Sequence, residues 1–414
     1  MSRAEETLDV LVVGAGPTGA CAAALLKREA PQLSVAILEH ARPEAPPRGA
    51  PLDVRVSALS RASERILTRA AAWGRIAPER VQPYERMRVW NEMAGARANV
   101  LVFDAAEAGE PNLGHIVENR LVQCALIEAF ESSGGRLIEG DLLGLRVQEE
   151  HVEAQTATSQ LSARLVIGAD GARSAVRSAI GLTAEVSSYG QIAIVANVAT
   201  ERPHERTAWQ RFLGRGTLAL LPLADGSSSI VWSADEEVAS ALLDAPPENF
   251  ARELARQSEE VLGAAQLLTD RLSFPLSRMA AHRYTAHRAA LIGDAAHVVH
   301  PLAGQGVNLG LLDAAALAQV LACACAERED PGAERILRRY ERWRKSETQL
   351  MALAIDAFDR FLAHGSGPLS LLAQRGLAWV DRSAEVKRAF IMRALGVSGE
   401  LPEAARRAAP PGIS

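Results

Sequence analysis

Leu8-Asp-Val-Leu-Val-Val13-Gly14-Ala-Gly16-Pro-Thr-Gly19 is the stretch that decides the fold. Its first six residues form a nearly unbroken apolar run, as in a strand buried on both faces. An Ala-rich segment from about Pro17 to Arg28 reads as the helix that follows. A second apolar run, Ser34 to Leu38, ends at Glu39, the twentieth residue after Gly19. In that setting the glycines serve a tight turn, the approach of a pyrophosphate and close helix–strand packing, and the acid can bind ribose hydroxyls. A bare GxGxxG is weak evidence. With strand, helix, second strand and terminal acid, it predicts a dinucleotide site at Gly14, Gly16, Gly19 and Glu39.

Two later segments share this grammar. Leu165-Val-Ile-Gly168-Ala-Asp170-Gly171 is a strand ending in glycine and an acid, and Arg173 and Arg177 follow in a helical stretch. Asp170 and Gly171 read either as cofactor contacts or as a helix cap, worth about 1 kcal/mol. The strand Ala289 to Ile292 leads into Gly293-Asp294-Ala-Ala-His297-Val-Val-His300-Pro301-Leu-Ala-Gly304-Gln-Gly306-Val307-Asn308-Leu-Gly310. A helix from Leu311 to Ala326 comes next. The Asp294 carboxylate can accept hydrogen bonds from ribityl hydroxyls. Gly293, Gly304 and Gly306 let the backbone come close, and a helix start at Gly306, Val307 and Asn308 offers free N–H groups.

The three segments, in this order, resemble the single-component flavin-dependent aromatic hydroxylases, and most closely the ubiquinone-biosynthesis hydroxylases. The resemblance is carried also by Asp53-Val-Arg55-Val-Ser57-Ala-Leu-Ser60, Phe103-Asp104-Ala-Ala, Gly114-His-Ile-Val-Glu118-Asn119, Leu220-Leu-Pro222-Leu, Ser229-Ile-Val-Trp232, Arg339-Tyr340-Glu-Arg-Trp343-Arg and Met392-Arg-Ala-Leu-Gly396. It spans nearly the whole chain. It implies FAD bound non-covalently and NAD(P)H as a transient co-substrate, which suits the presence of only one GxGxxG. O2 would react through a C4a-hydroperoxyflavin, and the substrate would be a polyprenyl phenol or quinol hydroxylated on its ring. Arg55 matches a family arginine that can neutralise pyrophosphate. Pro301 matches the position whose carbonyl lies near the reacting oxygen. His300 either polarises a phenol or packs and hydrogen-bonds, and His297 is expected to order its loop.

The implied fold is α/β: a Rossmann-like FAD-binding domain with an inserted β-sheet substrate domain and a C-terminal helical region. Residues 1–82, 115–185 and 285–330 are assigned to FAD binding, 83–114 and 186–284 to the substrate sheet, and 331–414 to the C-terminal helical region and tail. A helix is expected from Ser57 to Ala72. Tyr84–Trp90 and Asn99–Phe103 read as a hairpin turning at Gly95 and joining the second sheet. Four strands run between Gln191 and Asp235, with Asp225-Gly226 as a hairpin turn. Ala239 to Leu262 reads as helix, and Glu403 to Ser414 as a frayed tail. Leu218 to Leu223 and Trp232 are expected to offer apolar lining to the substrate.

With 414 residues, 48% hydrophobic and a formal net charge of −5, the chain has enough apolar content for two or three domains and lacks the basic footprint of a nucleic-acid binder. Cys21, Cys124, Cys323 and Cys325 form no metal pattern and read as small buried or half-buried thiols in a reducing compartment. His297 and His300 have no third ligand nearby in sequence, so no metal site is expected. The absence of a signal sequence predicts a cytoplasmic protein, peripheral to the inner membrane if its substrate's tail stays there. The segment Arg375 to Ala394 is basic on one helical face and apolar on the other. It reads either as a helix lying on an anionic membrane or a quinone-biosynthesis partner, or as a closing helix with a solvated face. Sequence leaves open the ring carbon attacked, the choice of NADH or NADPH, and the oligomeric state. A reductase or other hydroxylase of the same fold, or a non-catalytic subunit of a quinone-biosynthesis complex, remain the alternatives.

Overall fold

The computed structural model describes residues 7–47, 49–92, 100–300, 305–363 and 399–407, with backbone only for residues 305 and 352–363. Pro301, Gly304, the expected turn at Gly95 and the segment Arg375 to Ala394 lie outside the described residues.

The apolar runs of the three glycine segments form adjacent strands of one sheet. Its parallel core has the order Arg136–Glu139, Val35–Glu39, Leu8–Val13, Gln160–Gly168 and Ala289–Leu291. Every strand therefore delivers its C-terminal end to the same edge. That edge of an open parallel sheet is where ligands bind, because the following loops and helix starts converge there. The Pro17–Glu29 helix buries Ala20 to Leu26 completely or nearly so. Its small side chains let the Gln305–Ala326 helix lie close. A Cβ on Gly310 would overlap the Thr18 hydroxyl, and one on Gly293 would come within 3.0 Å of it. Gly293 also has φ +57, a left-handed conformation that favours glycine. Of the described helices, Gly306–Ala326 alone is long and apolar enough to cross a membrane, and here it packs largely as core.

The second sheet is nine-stranded and mainly antiparallel. Ala184–Thr200, Thr207–Leu213, Gly216–Pro222 and Ser228–Asp235 are its centre, and Arg86–Asn91 and Leu101–Asp104 extend one side. Gly226 turns at φ +86 with the Ser227 N–H donating to Asp225. Leu272–Ala281 returns alongside Ala184–Thr200, and His297–Val298 pairs with it. The third glycine segment is thus stitched to both sheets.

Several expectations change. Ser57 does not begin a helix. Val56–Ser60 is a strand paired antiparallel with Gly114–Glu118, and the helix is Arg61–Arg69, capped by the Ser60 hydroxyl. The pairing claims the first residues, so the helix starts only at its cap. The stretch from Ala239 splits into Glu236–Asp244 and Pro247–Gln257. Pro246 forces Ala245 into an extended backbone, and Pro247 opens the next helix. The C-terminal residues through Arg406 are held rather than frayed: Ala405 is buried, Gln319 accepts from the Glu403 N–H, the Leu401 carbonyl accepts from Arg406, and the Glu400 carbonyl accepts from Trp343. Cys323 is exposed, not buried.

Candidate active site

The glycine turn after Leu8–Val13 is shaped by its neighbours. Gly14 has φ +101, and a Cβ there would strike the Ala169 carbonyl. A Cβ on Gly19 would overlap the Gly14 carbonyl, so the third glycine seats the helix on the strand. Gly16 differs: a Cβ there would meet nothing within 4 Å. The space beside it is open, as the approach of a pyrophosphate needs. Glu39 accepts a hydrogen bond from the Ala15 N–H, and its other oxygen accepts from His40 N–H at 3.1 Å. The acid therefore sits against the glycine turn.

Asp170 is committed locally. It accepts from the Ser174 hydroxyl at 2.5 Å and from Val176 N–H at 3.0 Å, shaping the start of the Ala175–Ala179 helix. Gly171 has φ +80 with open space around it. Arg177 bridges the second and third segments, donating to the Ala295 and Ala172 carbonyls.

The Gly293-Asp294 turn is gripped from behind by a cluster that sequence reading did not foresee. Asp313 is fully buried and accepts from Gly293 N–H at 3.1 Å, His297 Nε2 at 2.5 Å and Arg344 Nε at 2.8 Å. Burial pushes the Asp313 carboxyl up, but His297 and Arg344 outweigh it and hold the group below the usual carboxylate range. The Tyr340 hydroxyl adds a bond to the Leu291 carbonyl at 2.8 Å. His297 orders this loop. Asp313 lies sixteen residues beyond it and Arg344 on another helix, so no local motif announces the cluster. Among the described residues no group of side chains could hold a metal ion.

Asp294 faces the other way. Its carboxylate opens into a cavity of about 510 Å³ and has no hydrogen-bond donor from the protein among the described residues. It is open to the cavity's solvent yet deep within protein. That burial raises its pKa; His297 counters the rise and the Asp313 charge adds to it. A cavity-facing acid lacking donors fits a ligand that brings hydroxyl groups.

Arg55, exposed at the cavity edge, is carried by a braced loop. Glu118, 2% exposed, receives both arms of Arg80 at 2.7 Å and the Asp53 N–H at 2.8 Å, and Asn119 N–H donates to the Arg55 carbonyl at 2.9 Å. His300 lines the cavity, 2% exposed, its ring edge-on to Tyr189 at 4.8 Å. Asn308 spends its side chain on structure: its Oδ1 accepts from Ser60 N–H and the Ser63 hydroxyl, and its Nδ2 donates to the Ala58 carbonyl. That leaves the backbone N–H groups of Gly306 and Val307, in the first turn of the helix, to serve a ligand, and Asn308 is corrected to a residue that holds the helix start in place. A Cβ on Gly306 would meet nothing within 4 Å, so this glycine too leaves space.

The remaining wall is one face of the second sheet. Alternation sends Ala219, Leu221, Val231 and Val195 toward the cavity. Leu218, Leu220 and Trp232 point to the opposite face, into a core capped by Phe250 and Leu254, with the Trp232 and Phe250 rings 5.7 Å apart. The expected lining from Leu218, Leu220 and Trp232 is therefore corrected: those side chains are structural.

Comparison with known proteins agrees with this architecture. The FAD binding domain family matches residues 7–352. The chain is similar to the ubiquinone hydroxylase UbiL of Rhodospirillum rubrum, 37% identical over 97% of this chain and 93% of that protein. It is 34% identical to the 3-demethoxyubiquinol 3-hydroxylase of Escherichia coli, over 94% of this chain and 98% of that one. The crystal structure of p-nitrophenol 4-monooxygenase PnpA from Pseudomonas putida shares the fold, with a TM-score of 0.75 at 18% identity, covering 95% of this chain and 99% of that chain.

Proposed function

The chain belongs to the FAD-binding-domain family, among the ubiquinone-biosynthesis hydroxylases, and from that premise we propose that it hydroxylates the ring of a polyprenyl phenol or quinol. It is an FAD-dependent aromatic monooxygenase that uses O2 and NAD(P)H. The observation that carries the substrate class is the cavity, where Asp294, Arg55 and His300 meet an apolar sheet face. When bound, FAD supplies the redox chemistry of oxygen activation that side chains lack.

The chain's own residues bind, orient and exclude water. Gly14 and Gly19 set the tight turn and the helix packing, Gly16 leaves backbone room for the pyrophosphate, and Arg55 at the cavity edge can offset its charge. Glu39 and Asp294 accept hydroxyl hydrogen bonds, and Asp170 keeps the second segment in shape beside Gly14. The first-turn N–H groups of Gly306 and Val307 carry partial positive charge, suited to negative charge on a flavin's pyrimidine side. The apolar sheet face keeps the reacting ring dry. Phe274 lines the cavity yet is 43% exposed, and Leu272, two residues along the same strand and on the same face, is equally exposed. They form an apolar path outward for a prenyl tail. We place the enzyme in the cytoplasm beside the inner membrane, because such a tail favours a bilayer.

The test is turnover of purified protein with NAD(P)H, isotopically labelled O2 and a short-chain 2-prenylphenol. Label is expected in a ring hydroxyl of the product. NAD(P)H oxidation without label in any of a panel of phenols and quinols would overturn the substrate class.

A further inference from the structure

We propose that Gln210 binds an oxygen substituent of the substrate's ring and so determines how the ring lies in the cavity; this rests on the hydroxylase reading above. Gln210 is in Thr207–Leu213, on the face turned toward the cavity, and only 5% of its surface is exposed. Its nearest neighbours on that face are apolar. Val89 and Ala219 flank it across the strands, and Ala208 and Phe212 lie along its own. Its side-chain amide has no hydrogen-bond partner among the described residues. An amide at a cavity wall that no protein group engages is available to a ligand able to hydrogen-bond. Thr217 and Ser233, a polar pair on this wall, satisfy one another at 2.7 Å. Gln210 thus presents an unpaired amide to the cavity from a mainly apolar stretch of its wall.

The chemistry of the amide selects the ligand. It carries one acceptor and two donors and no charge. It can accept from a phenolic hydroxyl, or donate to a carbonyl or ether oxygen. An alkyl tail or an unsubstituted ring edge offers it nothing. Gln210 therefore sets orientation: the oxygen-bearing edge of the ring turns toward the sheet, and the opposite edge is free to face the flavin side.

The test measures binding and coupling in the FAD-loaded protein with two probes, 2-prenylphenol and prenylbenzene, which lacks the ring oxygen. Wild-type protein should bind the phenol about tenfold more tightly, the scale of one hydrogen bond. Gln210→Met, similar in shape, should lose that preference by weakening phenol binding while binding prenylbenzene at least as well. Product formed per NAD(P)H consumed should fall as well, because a tumbling ring misses the oxygen. Retained FAD and an unchanged melting temperature establish that the variant is folded. If it is not, the wild-type preference decides alone, and equal binding of the two probes overturns the proposal. So does a Gln210→Met variant with preference and coupling intact. A wild-type protein that binds the phenol selectively but hydroxylates none of it would instead overturn the hydroxylase reading, leaving the contact standing.

Discussion

Replacing Asp294 with alanine should weaken FAD binding without harming the fold. Its carboxylate faces the cavity without a donor from the protein among the described residues, and burial holds its pKa above the usual range. The charge is therefore a burden to the ligand-free protein, and its removal should leave that form equally stable or slightly more so. With FAD the sign reverses. A hydrogen bond to a charged group contributes roughly 1.5–3 kcal/mol, so the dissociation constant should rise about ten- to a hundredfold. At FAD a hundredfold above the wild-type constant, the cofactor stabilises wild type by about 2.7 kcal/mol, whereas a hundredfold weaker variant gains about 0.4 kcal/mol. Thermal melts of both proteins, with and without FAD, read this directly. The pH dependence is a second check. Asp294 binds as the carboxylate, so wild-type affinity should fall as pH drops through the raised pKa, and Asp294→Asn should lack that fall. A large loss of stability without FAD, combined with unchanged FAD affinity, would show the acid to be structural.

The cluster behind the turn should behave in the opposite way. Asp313→Ala strands the Arg344 charge, whose side chain is 3% exposed, and should cost about 3–5 kcal/mol; pairing it with Arg344→Met should recover part of the loss, and full additivity in a double-mutant cycle would argue against the pair. Trp232→Ala should also cost about 3–5 kcal/mol while leaving KM for a prenylphenol unchanged, since its ring packs on Phe250 behind the sheet. His115 has its pKa pushed down to about 4 by burial and the neighbouring Arg61. Its unfolded form binds protons first, so stability should fall as pH drops from about 6.5 toward 4, by about 3 kcal/mol at most. Denaturant titrations across that range should show the slope flattened in His115→Gln.

The nucleotide-binding half was legible because its determinants are local. A strand, a glycine spacing and an acid at a strand end follow from neighbours in the chain, and Gly14, Gly19 and Gly293 stand where steric contact or backbone conformation calls for glycine. The long helix after Gly304 was legible from composition, although it begins at Gln305 and not at Leu311. What sequence could not decide depends on partners far along the chain. Strand pairing with Gly114–Glu118 turned Ser57–Ser60 from expected helix to strand. Asp313 and Arg344 acquired meaning only when two helices brought them to His297. The same is true of Trp232 and Gln210. Their types alone suggest a substrate wall for the first and nothing for the second. A strand presents alternate residues to opposite faces, and only packing of the helices on one side and the flavin domain on the other determines which face is core and which is cavity.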